Sequence, residues 1–189
     1  MVKRVVIVGG GAAGMQTALE LKSRGIEAII VERDIELGGK ARGWHKLFPT
    51  FTPAKEVLNE IIDRVKQARI RCFLGQEVKS ISSDGITLRS EERILADAVV
   101  IATGFTLFDA HRKQEYGYGL YDNVITSVDL ERMMNGGKVT LADGTEPRRI
   151  AILHCVGSRD EKVGQRHCSK VCCITGVKQA IELKQLFPN

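Results

Sequence analysis

The chain has 189 residues, 43% apolar and 27% charged, and its 28 Lys and Arg against 23 Asp and Glu leave a net charge of +5. That balance excludes collagen-like, mucin-like and disordered chains and fits one globular domain, or one with a small appendage. The positive excess is scattered, with no basic stripe or interleaved aromatics that would imply nucleic acid.

The opening reads as a βαβ unit. Arg4 to Val8 is a short β-branched run, hence a buried strand, and a glycine-rich turn follows. Ala12 to Arg24 has helical periodicity through Met15, Ala18, Leu19 and Leu21, with Gly25 as its stop. Ile26 to Val31 is a second buried strand ending at Glu32, and Gly38-Gly39 marks the next turn. Pro53 suits the first turn of a helix running to about Ala68. From Arg71 the period shortens to strands at Cys72–Leu74, Val78–Ser82 and Ile86–Leu88, with Asp84-Gly85 as a hairpin signal. Ile94 to Ala102 reads as a buried strand closing on Thr103-Gly104; the longest apolar run, Ala96 to Ala102, is broken by Asp97 and is far too short for a membrane span. Phe105 to Asn123 has no regular period. Val128 to Met134 predicts a short helix, Val139 to Glu146 a hairpin, Arg149 to Val156 a last strand, and Ser169 to Leu186 a last helix. The N-terminal stretch lacks a secretory profile, which implies a cytoplasmic setting without structural disulfides.

Gly9, Gly11 and Gly14 form G-x-G-x-x-G between a strand and a helix, and Glu32 ends the next strand eighteen positions after Gly14. One glycine permits the tight turn, the next admits a pyrophosphate, and the third allows close helix–strand packing. The helix N-terminus offers N–H donors to phosphates, and the Glu32 carboxylate would accept hydrogen bonds from a ribose. Leu37-Gly38-Gly39-Lys40 and Ala102-Thr103-Gly104 resemble the later FAD-contacting turns of flavoproteins with two dinucleotide domains, and Glu77-Val78 resembles their strand beside the adenine.

Cys155, Cys168, Cys172 and Cys173 have the spacing C-x12-C-x3-C-C. Four thiolates from two segments suit zinc or an iron–sulfur cluster. Structural zinc favours two short C-x2–4-C knuckles, so the vicinal pair favours a [4Fe–4S] cluster. A catalytic dithiol at Cys172-Cys173, or cysteines acting only as small hydrophobes, are the other readings; the latter is taken for Cys72. If Cys168 and Cys172 sit at a helix start, they share one face. The histidines are dispersed, and only His167, beside Cys168, is assigned a tuning role. Arg112-Lys113 reads as a solvated face or a partner contact.

The chain resembles the HdrA subunit of heterodisulfide reductase and the flavoprotein subunits of quinone-interacting membrane-bound oxidoreductase. Beyond the turns above, the matching residues are Glu115 to Gly119, Asn123 to Ser127, Cys155 to Lys162 and Cys168 to Cys173. The resemblance implies an α/β fold: a Rossmann-like FAD-binding βαβ domain with a β-rich insertion, ending in a strand–loop–helix that carries the cysteines. It implies FAD on Gly9, Gly11, Ala13, Gly14, Glu32, Arg33, Gly39, Lys40, Val78, Ala102, Thr103 and Gly104. It also implies a [4Fe–4S] cluster on Cys155, Cys168, Cys172 and Cys173 near the flavin, and electron transfer to the other subunits of such a complex, without a membrane span of its own. Residues 1–125 would be an FAD domain incomplete without a later part, and 126–189 the start of an inserted α/β domain; the chain would be a short or truncated member. Two alternatives stand beside this one. A pyridine-nucleotide disulfide reductase would need redox cysteines soon after Gly39, and none occurs between Lys40 and Arg71. A zinc-stabilised docking module would be colourless.

Overall fold

The structure, a computed structural model, describes residues 3–188. The chain forms two compact units: Met1–Arg42 with Ala54–Phe105, and Gly43–Pro53 with Thr106–Asn189.

The first unit is built on a four-stranded parallel sheet of order β5-β2-β1-β9. Its strands are β1 (Arg4–Val8), β2 (Glu27–Val31), β5 (Arg71–Phe73) and β9 (Ala98–Ile101), and the helices α1 (Ala12–Ser23) and α2 (Ala54–Gln67) connect them. Both faces of this sheet are covered, as a parallel sheet requires. Alternate residues point opposite ways: Ile7, Ala28 and Ile30 pack with Met15, Ala18, Leu58 and Val65 of the helices. Val6, Ile29 and Val31 pack on the other side with Ile86, Leu88 and Ile94. Those last residues belong to the antiparallel insertion β6 (Val78–Ser82), β7 (Gly85–Leu88) and β8 (Arg93–Leu95). The expected single strand over Ile94 to Ala102 is therefore two strands in different sheets. The break falls at Ala96-Asp97, where the Asp97 carboxylate accepts the Arg4 N–H at 2.7 Å, and β9 is only partly covered.

The second unit contains a two-stranded ribbon, β3 (Lys46–Leu47) with β4 (Thr52–Pro53), and the helices α3 (Ser127–Asn135) and α4 (Cys172–Leu186). A Thr126/Asp129 capping box starts α3. Leu130, Met134, Val139 and Leu183 form the apolar core. Beside it lies a buried polar set. Lys178 donates to Glu131 at 2.6 Å, Gln179 donates to Glu131 at 2.8 Å, and the His45 ring meets Glu182 at 2.9 Å. Two expected elements are absent among the described residues. Arg149 to Val156 pairs with no strand, and Ile150 and Leu153 stay exposed. Val139 to Glu146 holds only a turn, closed by Leu141 N–H to Thr145 O at 2.8 Å. Both runs are apolar enough for strands, but a strand exists only where an edge is offered to it. The terminal helix begins at Cys172, three residues after its expected start.

Candidate functional site

In the first unit the chain leaves β1 at the centre of the sheet, moves outward through β2 and β5, and returns to β9 on the other side of β1. Ligands of open parallel sheets bind beyond the carboxyl ends of the strands, where this order reverses. The glycine turn follows Val8 at that place, and Ala102 to Gly104 follows Ile101. Gly9 has φ +112°, and a Cβ there would lie 2.3 Å from the Ala102 carbonyl oxygen. A Cβ on Gly14 would lie 1.9 Å from the Gly9 oxygen. Gly9 and Gly14 are thus demanded by packing. Gly11 differs, because a Cβ there would meet nothing within 4 Å. It is the N-cap of α1, and no side chain caps the helix, so the first-turn N–H groups are available to an anion.

Gly38 donates to the Gly10 carbonyl at 2.9 Å, and a Cβ on Gly39 would stand 3.3 Å from Gly11 Cα. The Lys40 ammonium lies 5.6 Å from the centre of the Phe105 ring. The three predicted turns therefore adjoin at one end of the sheet. Val78 begins β6, and just ahead of it Gln76 N–H donates to the Glu32 carbonyl at 2.9 Å. Arg33 is exposed beside Glu32. Glu32 itself is buried, and its carboxylate accepts Gly10 N–H at 2.5 Å and Asp34 N–H at 2.9 Å. It pins the glycine turn to the end of β2, a role beyond the ribose contact expected of it. The uncapped helix end, the open face at Gly11 and the adjoining glycine turns fit a bound dinucleotide.

Cys155, Cys168, Cys172 and Cys173 belong to the second unit. Cys155 (φ +62°), Arg159 (φ +55°) and Lys170 (φ +63°) adopt the left-handed conformation without being glycine. Such residues concentrate where the surroundings over-determine the backbone. The intervening loop is tied at its base. Ser158 Oγ donates to the His167 carbonyl and accepts from Ser169 N–H, both at 3.0 Å, and Arg159 N–H donates to the same carbonyl at 3.1 Å. Lys113 holds the loop from outside, pairing with Asp160 and Glu115 at 2.6 Å each. Its side chain is only 6% exposed, so the solvated face expected at Lys113 is instead a buried clamp. The Asp160 carboxyl is held below the ordinary carboxylate range, first by the hydrogen bond from Lys113.

Cys168 lies in the loop, where its sulfur accepts Lys170 N–H at 3.3 Å; it does not share a helix face with Cys172. Cys172 and Cys173 open α4, whose N-terminal dipole favours thiolate. Hydrogen bonding from Ser169 lowers the Cys172 thiol, aided by the backbone of Cys155. The Cys173 thiol is pushed up, first by the Cys172 charge and then by burial, with Cys155 and Cys168 contributing. A four-thiolate donor set, with the Lys170 N–H aimed at the Cys168 sulfur, fits an iron–sulfur cluster. Cys72 is far along the chain, partly buried on β5, its thiol raised by desolvation. Sequence reasoning missed His154, whose ring nitrogen lies within 4.8 Å of the Cys172 and Cys173 sulfurs. Among the described residues the His167 ring makes no hydrogen bond, and its backbone carbonyl serves the loop. No helix among the described residues is long and apolar enough to cross a membrane.

The A-subunit of the H2/formate:CoB-CoM heterodisulfide,ferredoxin reductase of Methanococcus maripaludis is 28% identical over 99% of this chain and 42% of its own length. The iron-sulfur A-subunit of the CoB–CoM heterodisulfide reductase of Methanocaldococcus jannaschii is 27% identical over 99% of this chain, again 42% of its own. The chain therefore spans about two-fifths of the length of these relatives. The first alignment runs over 279 positions against 189 residues here, so at least 90 residues of that relative (279 less 189) have no counterpart within it. A ferredoxin reductase of Rhodopseudomonas palustris is 26% identical over 54% of this chain and 24% of its own, with a TM-score of 0.42. The resemblance to the HdrA subunit of heterodisulfide reductase, read from the residues, agrees with the names of these relatives. The family described as pyridine nucleotide-disulphide oxidoreductase matches residues 3–153, which hold all three glycine turns and end two residues before Cys155, and the chain belongs to that family.

Proposed function

We propose that the chain is an FAD- and [4Fe–4S]-dependent electron-transfer subunit of an oxidoreductase complex like heterodisulfide reductase, working in the cytoplasm with partner subunits. The observation that carries this is a dinucleotide cradle in one unit of a chain whose other unit carries four cysteines on one tied loop and the helix that follows it. The names of the relatives, heterodisulfide reductases both, support it.

The residues divide the work. The N–H groups at the start of α1, with Gly9, Gly11, Ala13 and Gly14 giving close approach, neutralise the pyrophosphate. Glu32 holds that turn in place and keeps lone pairs for a ribose, while Arg33, Gly39, Lys40, Val78, Ala102, Thr103 and Gly104 line the remaining contacts. Cys155, Cys168, Cys172 and Cys173 serve as ligands, and the N–H groups directed at Cys168 and Cys172 withdraw charge from sulfur, which raises a cluster potential. When bound, flavin converts between electron pairs and single electrons, and a cluster passes single electrons. No side chain need act as acid, base or nucleophile.

Anaerobic co-purification with native associates, followed by iron, sulfide and flavin analysis, tests this. About four iron and four sulfide per chain, with about one FAD, are the expected result. A colourless chain free of iron and acid-labile sulfide would refute it.

A further inference from the structure

We propose that His154 is a positioning residue for the four-cysteine centre: its ring N–H is held against the Cys173 sulfur and sets the reduction potential of the cluster. The inference rests on the reading of Cys155, Cys168, Cys172 and Cys173 as cluster ligands, and it adds a fifth residue that itself holds no metal. One ring nitrogen of His154 lies within 4.8 Å of the Cys172 and Cys173 sulfurs. A small turn of the ring brings its N–H into range, since sulfur is larger than oxygen and accepts from further away. Among the described residues the Lys170 N–H is aimed at the Cys168 sulfur and Ser169 at Cys172, while Cys173 receives no donor. Ring hydrogen bonds are made by His45 and His111 but, among the described residues, none by His154. The unserved sulfur and the unserved ring therefore face the same place.

The helix builds the seat of the ring. Gly176 is buried in the interior of α4, where glycine is disfavoured relative to alanine. It follows Cys172 by four positions and Cys173 by three, so it shares their face of the helix. A Cβ there would overlap His154 Cε1 and stand 3.1 Å from Nε2 and 3.3 Å from Ile152 Cγ2. The helix thus leaves out a side chain where the imidazole rests, one turn beyond the two sulfurs. The left-handed backbone of Cys155 turns the chain immediately after His154, so a ligand of the centre follows the ring directly. His154 and Cys173 are both exposed, and water competes for the same sulfur. A ring already seated on the helix gives up little freedom in donating, whereas a water must be immobilised. A thiolate ligand carries more negative charge in the reduced cluster than in the oxidised one. A donor to it therefore favours the reduced state and raises the potential. In this role the ring transfers neither a proton nor an electron.

The test uses the full chain, prepared anaerobically with its iron and sulfide, and reads the midpoint potential at one pH by redox titration followed with electron paramagnetic resonance. His154→Ala and His154→Phe, the latter keeping ring bulk without an N–H, should both retain iron. Each should shift the redox equilibrium toward the oxidised cluster by roughly tenfold, a midpoint about 59 mV lower for one electron. His154→Gln, which restores an N–H, should recover part of that shift. Gly176→Ala keeps every ligand and the ring but displaces the ring, and should lower the potential in the same direction. His167→Ala, which removes a ring without a hydrogen bond, should stay at the wild-type value. A His154→Phe midpoint equal to wild type, or a His167→Ala shift as large as that of His154→Ala, would overturn the assignment. So would loss of most of the iron in His154→Ala and His154→Gln alike, since that would make the ring a ligand. A wild type without iron or sulfide would refute the cluster and this role together; an intact cluster whose potential ignores His154 would refute this role alone.

Discussion

Substituting alanine for Gly11 and for Gly14, one at a time, separates a glycine kept for a ligand from one kept for packing. At Gly14 the added methyl would lie 1.9 Å from the Gly9 carbonyl oxygen, 3.1 Å from Gly9 C and 3.3 Å from Ile7 Cγ2. The first two are backbone of the tight turn at the end of β1 and cannot swing away. Overpacking of this kind costs about 1–3 kcal/mol even after relaxation, and the better helix propensity of alanine returns about 1 kcal/mol. With a carbonyl as the obstacle the cost lies at the upper end, so a net loss of about 2 kcal/mol follows. At about 2–4 °C per kcal/mol for a chain of this size, the midpoint drops by about 4–8 °C. At Gly11 nothing lies within 4 Å and φ is −72°. Alanine loses about 0.5–1 kcal/mol there as an N-cap and regains a similar amount by restricting the unfolded chain. Thermal unfolding of the chain without flavin, with equilibrium dialysis against FAD, reads both effects. Gly14→Ala should unfold early; Gly11→Ala should unfold like wild type yet bind FAD at least tenfold more weakly, a loss of about 1.4 kcal/mol. Equal midpoints for Gly14→Ala and wild type, or full FAD affinity in Gly11→Ala, would refute the assignment.

Cys172→Ser should remove most of the iron from the anaerobically prepared chain, whereas Cys72→Ser should keep it, since Cys72 lies on β5 with its sulfur toward the Ile70 carbonyl; colorimetric iron analysis decides. Asp160 carries the pH dependence of the cysteine loop. Its folded-state pKa lies below the unfolded value of about 3.9, so the stabilisation is complete above that value and is lost as pH falls through the folded pKa. Amide exchange over 158–169 should therefore be slow and steady from pH 7 to pH 5 after correction for intrinsic rates, and quicken below about 4. Asp160→Asn should show the quick exchange at every pH. Lys178→Ala would leave Glu131 and Glu182 buried without their cation, Lys178 being 2.6 Å and 2.9 Å from them. One Glu182 oxygen already lacks a well-aligned hydrogen bond. A loss of about 3–5 kcal/mol in denaturant unfolding of the second unit is expected, the usual result of orphaning a buried charge.

Local features of the fold are legible in the residues themselves. Arg4 to Val8 and Glu27 to Val31 are β-branched runs with a glycine turn between strand and helix, and the spacing of Gly9, Gly11 and Gly14 already contains the mechanics of the turn. The helices follow from periodicity and from Gly25 and Pro53 as punctuation. The run from Ile94 to Ala102 reads as continuous because both of its strands are apolar; only the Asp97 contact with Arg4 divides it between two sheets. The cysteine spacing points to a shared sulfur site, but not to the loop geometry that places Cys168 outside the helix.

Apolar alternation and glycine placement act over a few residues, so the amino-acid order alone determined the βαβ cradle and the grouping of the thiols. Partnership between charges or ring nitrogens separated by tens of residues is a matter of which surfaces meet. Tertiary packing therefore decided that Lys113 clamps Asp160 across 47 positions and that Glu131 and Lys178 bury each other. The same packing seats His154 in the gap left by Gly176, beside two sulfurs that its position in the chain does not announce.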